Sequence, residues 1–164
     1  MGHSKIVALL VAANLSLGCA GMRWSMAKAF RDEGAVNRSF PEEVWKEYDC
    51  ANQKRPFFII EANELVPPRV DAGDDFNHRM VYVMCPAKPT EVVAGVLATR
   101  IRFKGDPIVD SRDDGYEIKP GRWVVDAFVE IPQAAEPGVY AYEIQFSGEG
   151  LSFAKSLTFL VTPP

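Results

Sequence analysis

Histidine and cysteine are scarce in this chain: two of the first and three of the second among 164 residues. His3 lies in the apolar N-terminal segment, so a Ser/His/Asp or Cys/His site would have to use His78, and no Gly-x-Ser-x-Gly elbow supplies the nucleophile. The chain carries neither a phosphate-binding loop nor a dinucleotide fingerprint. His78, Cys50 and Cys85 follow none of the paired spacings of a zinc site. We therefore assign no catalytic residue, no metal and no cofactor, and expect a non-enzymatic protein. Basic charge is short as well. Lys and Arg total 18 against 22 Asp and Glu, a net charge of −4, which argues against a nucleic-acid partner, since such binding rests on cations that neutralise phosphates. No apolar run reaches the roughly 20 residues that span a bilayer core. Proline, by contrast, is plentiful, and 12 of them spread along the chain disfavour a helical bundle. The length suits one domain of ordinary size.

The N-terminus has the three-part layout of a secretory signal: Lys5, an apolar stretch from Ile6 to Leu17, then Gly18 and Cys19. Leu15-Ser16-Leu17-Gly18-Cys19 resembles a bacterial lipobox, with small Gly18 before the cysteine and Ser16 where the usual leucine stands. The resemblance implies cleavage before Cys19 and attachment of a diacylglycerol to its thiol. Ala20 follows instead of an aspartate, which by the same resemblance implies an outer membrane and a protein facing the periplasm. Ordinary signal cleavage and a buried apolar helix with an inert thiol are the alternatives. Without residues 1–18 the balance is 17 against 22, a net −5.

The organisation expected is a signal peptide at 1–18, a tether at 19–56 with a short helix near 41–50, and a β domain at 57–164. Ser39 is placed to cap that helix, Pro41 lies in its first turn, and Glu42 and Glu43 face the positive end of its dipole. Beyond Pro56 the apolar period becomes two. Strands are expected at Phe57 to Ala62, Met80 to Cys85, Leu97 to Phe103, a short one around Ile108, Trp123 to Ile131, Tyr140 to Phe146, and Phe153 to Val161. About seven antiparallel strands without intervening helices make an all-β sandwich. Pro137-Gly138-Val139-Tyr140, after the strand that ends at Ile131-Pro132, resembles the tyrosine corner of immunoglobulin-like and fibronectin-III-like Greek-key domains. The resemblance covers residues 57 to 162 as pattern. It implies a structural role for Tyr140, whose hydroxyl would return to the backbone just upstream.

Several residues are open to two readings. Cys50 and Cys85 form a possible disulfide, which would close a loop of about 35 residues, or two separate buried thiols. Trp45, Tyr48 and the outward Phe128 form a possible binding surface, or the helix packs its aromatics on the body of the domain and covers Phe128. Arg100, Arg102 and Lys104 line one strand face, either to grip a polyanion or to pair with acids such as Glu143 or Glu130. Asp71, Asp74 and Asp75, like Asp110, Asp113, Asp114 and Glu117, read as solvated turns more readily than as calcium ligands, and His78 reads as a loop or strand-edge residue. The function expected is that of a lipid-anchored envelope protein with an envelope protein partner, with carbohydrate or small-ligand binding as the alternative.

Overall fold

A computed structural model describes Met26, residues 28–88 and residues 90–164. Cys19 and the expected signal segment lie outside the described residues. The chain divides into a unit Met1–Arg31, in which Met26, Lys28 and Ala29 are helical, and a second unit Asp32–Pro164.

The second unit is a two-sheet all-β sandwich with nine strands among the described residues: β1 (Gly34–Ser39), β2 (Phe57–Val66), β3 (Arg69–Asp71), β4 (Asp75–Cys85), β5 (Val93–Phe103), β6 (Asp106–Ile118), β7 (Gly121–Glu130), β8 (Gly138–Gly148) and β9 (Leu151–Thr162). A helix, α1 (Pro41–Glu47), and a 3-10 turn (Cys50–Asn52) separate β1 from β2. One sheet runs β1-β7-β4-β2 and the other β3-β9-β8-β5-β6. All neighbours are antiparallel except β3 with β9.

Nine strands replace the expected seven. β1 lies in the stretch expected as a tether, because Gly-Ala-Val-Asn-Arg-Ser has no alternation; its pairing with β7 supplies what its side chains do not. β3 is only three residues long. The short strand around Ile108 is a 13-residue strand. Lys104 and Gly105, both at positive φ, make a two-residue turn that returns the chain along β5, and cross-strand pairing overrides the poor strand propensity of its aspartates. Of the segment expected as a tether, residues from Gly34 onward contribute β1 and α1 to the sandwich unit.

Alternation builds the core. Phe76, Met80, Tyr82 and Met84 of β4 face Tyr140, Tyr142, Ile144 and Phe146 of β8 across the sandwich, and all eight are buried. Val83 and Cys85 point the other way and, with Val44 and Cys50, form a separate buried cluster under α1. Two close approaches fix this side. Gly121, at φ +102, lies under the chain between β1 and α1, where a Cβ would stand 2.6 Å from the Ser39 carbonyl. Cys50 and Cys85 are joined as a disulfide with Cα atoms 6.0 Å apart, tying the helical arm to the end of β4.

Candidate functional site

One cation gathers the polar contacts of the helical arm. Arg122, on the outer side of β7, donates from Nε and Nη2 to the Glu61 carboxylate at 2.9 and 2.8 Å, and from Nη2 to Glu47 at 2.6 Å. Its Nη1 donates to Ser39 Oγ at 3.3 Å. Glu61 also accepts from the Tyr48 hydroxyl. Hydrogen bonds from Arg122 hold the Glu61 carboxyl below its usual range, and the bond to Glu61 pushes the Tyr48 phenol up. Glu61 reaches this position because it is the extra residue of a bulge between Ile60 and Ala62 in the β2–β4 ladder. Ser39 is thereby occupied as the last residue of β1 and does not cap α1. Phe40 takes the capping position, and its backbone N–H donates to the Glu43 carboxylate at 3.1 Å.

Trp45 and Tyr48 are half-buried against the Val44, Cys50, Val83 and Cys85 cluster; Tyr48 meets Phe57 at 5.8 Å between ring centroids, and the Arg55 guanidinium lies 5.3 Å over Trp45. These aromatics dock the helix on the sheet. Phe128, also half-buried, sits apart from them at one flank of the sandwich, in a register position opposite Asn77. There it lines an open groove of about 480 Å³ between the C-terminal end of β7 and the inner face of β5 and β6. Thr99 and Ser111, neighbours across the β5–β6 ladder, give this groove two hydroxyls, and Arg100, Asp75 and Glu130 give it charge.

The basic row of β5 and the turn after it is neutralised side chain by side chain. Arg100 pairs with Asp110 at 3.1 Å, Arg102 with Glu143 at 2.9 Å and Lys104 with Glu136 at 2.9 Å. Glu130 lies opposite Asp75 in the β4–β7 ladder and takes no part in that row. Among the described residues no group of three or more His, Cys, Asp or Glu could hold a metal ion.

His78 is neither in a loop nor at a strand edge. β4 begins at Asp75, five residues before the expected start, and this puts His78 in the inward row between Phe76 and Met80, with 3% of its surface exposed. Its Nε2 meets the Asn63 Oδ1 at 2.7 Å, and its ring packs 4.8 Å from that of Tyr142. The β2 bulge at Glu61 reverses the parity of the strand and turns Asn63 inward to meet it. Desolvation lowers the imidazole to about 4 against the opposing influence of the Asp126 charge, so the ring is neutral at pH 7. Asp126 itself, on the outer face, accepts two bonds from Arg79 at 2.9 and 2.7 Å. Tyr140 donates its hydroxyl to the Glu136 carbonyl at 2.8 Å.

Fold and contacts together define an all-β, disulfide-linked sandwich. No protein-family profile matches the chain, and no curated protein sequence matches it. Among solved structures, it is similar to a family 123 glycoside hydrolase from Clostridium perfringens at 17% identity and a TM-score of 0.40, over 58% of this chain and 22% of that one. It is similar to Spo0M, a sporulation control protein from Bacillus subtilis, at 13% identity and a TM-score of 0.44, over 66% and 49%. A β-glucosidase from Listeria innocua aligns at 12% identity and a TM-score of 0.46, over 66% and 16%. The chain spans less than half the length of each of those proteins.

Proposed function

We propose that this chain is a non-enzymatic lipoprotein of the bacterial cell envelope. In this reading Cys19 carries the lipid and anchors the protein in the outer membrane facing the periplasm, and an immunoglobulin-like Greek-key sandwich binds a protein partner. The exchange of sheets at β4 to β5, β6 to β7 and β7 to β8, together with the Tyr140 bond to Glu136, supports the Greek-key reading. The observation that carries protein recognition is the edge of the five-stranded sheet. It ends in β6, 13 residues long and exposed from Asp106 to Gly115, which leaves every second backbone N–H and C=O open to another chain. Site-specific photocrosslinking in the native envelope tests this reading. A specific protein neighbour is expected, and its absence at every position probed would defeat the proposal. Carbohydrate or small-ligand binding is the second reading, favoured by Phe128, Thr99 and Ser111 in one groove. Tight binding of a glycan without any protein neighbour would favour it.

A further inference from the structure

Resting on the protein-binding reading, we propose that β6 takes up an extended, cationic segment of its partner as an added antiparallel strand along Val109–Asp113. Those five residues pair in one unbroken register with Leu97–Ile101 of β5, and the ladder is irregular on both sides of them, so they are the straight part of the edge. The remaining edges are poorer templates. β1 has six residues and a register shift after Asn37, β3 has three, and β2 is interrupted by the Glu61 bulge.

Charge selects the occupant. β6 carries Asp106, Asp110, Asp113, Asp114 and Glu117 against a single cation, Arg112. Asp110 is engaged by Arg100 and Asp114 by Arg112, whereas Asp106, Asp113 and Glu117 make no ion pair among the described residues. Ile108 and Val109 add apolar surface, 48% and 38% exposed. Two copies of β6 laid side by side would each bring five carboxylates against one cation to the seam, a net repulsion that opposes self-association, whereas a strand with Lys or Arg at alternate positions and branched apolar residues between them is complemented on both counts. The same carboxylates therefore reject a second copy and favour a basic partner strand.

The test uses the full chain in detergent micelles and a fluorescent nine-residue peptide of alternating Lys and Val. Binding that protects the amides of Val109–Asp113 from hydrogen exchange is expected. Affinity should fall at least tenfold for the D106N/D113N/E117Q variant. It should fall by a similar factor when every backbone amide of the peptide is N-methylated, since this keeps the charge and removes the strand ladder. Equal affinity of the methylated peptide, or protection elsewhere than on β6, would overturn the proposal. Crosslinkers at Ser111 and at Val139 in the native envelope separate the two levels. A partner captured at Val139 and not at Ser111 defeats the β6 assignment and leaves protein binding standing, and capture at neither defeats both.

Discussion

His78 and Tyr140 occupy comparable positions, each inward on its strand, yet their chemistry sets different demands. The imidazole is kept neutral by the apolar walls around it, with Asn63 from β2 and Tyr142 from β8 as its direct contacts and Asp126 and Arg79 paired on the far side of their strands. Because its folded value of about 4 lies below the ordinary 6.5, the unfolded chain binds a proton first as pH falls. The contribution of the neutral ring is thus complete above pH 6.5 and is lost between about pH 6.5 and 4. The loss amounts to roughly 3 kcal/mol. Urea denaturation at pH 7, 5.5 and 4 should show this decline in the native protein and a smaller one in His78→Leu; identical slopes for the two would refute the assignment. At Tyr140 the hydroxyl matters. Tyr140→Phe keeps the ring stacked on Phe103 and Phe159 and removes the bond to the Glu136 carbonyl, a loss of about 1 kcal/mol that denaturant midpoints can read.

Among elements, the helical arm depends most on partners distant in sequence. α1 is seven residues long, too short to be stable alone, and it persists because Val44 is buried, because Arg122 binds both Glu47 and Glu61, and because the 3-10 turn is tied to β4 by the disulfide. Replacing both Cys50 and Cys85 by Ala should destabilise the domain by about 3 to 4 kcal/mol, as expected for a closed loop of this length; equilibrium unfolding under oxidising conditions would reveal it. Arg122→Ala should lower stability by about 1 kcal/mol, since Glu61 and Glu47 lose their common cation at a site open to water. Increased exchange of the α1 amides in this variant would confirm that the arm, and not the sandwich, has loosened.

For the molecule as a whole, the sandwich is acidic, with 14 Lys and Arg against 22 Asp and Glu over residues 32–164, its basic row is already paired, and its longest edge is both open and negative. Anchoring is a separate property with its own test. On the proposed lipid attachment, Cys19→Ala should move the protein from the membrane fraction to the soluble one, and unchanged fractionation would count against it.

Much of this was legible from period and punctuation. The inward rows of β5, β7, β8 and β9 follow directly from alternation, because a strand with one buried face must place its apolar residues two apart. The turn at Pro137-Gly138 and the even pair of cysteines outside the N-terminal segment were equally visible. Residues that depend on a neighbour's position were not. Asn63 and Glu61 change sides at a bulge that no composition marks, and β1 and most of β6 are strands only because β7 and β5 offer them a ladder. His78 was hidden by a single misplaced strand start. Sequence alone determined the all-β class, the sparse catalytic inventory and the candidate disulfide, since these rest on local pattern and on counts of residue types. Tertiary structure alone decided that Cys50 meets Cys85, that the β5 cations are spent within the fold, and that the acidic strand is the open edge, since which groups meet and which face water depends on how distant strands are ordered in the sheets.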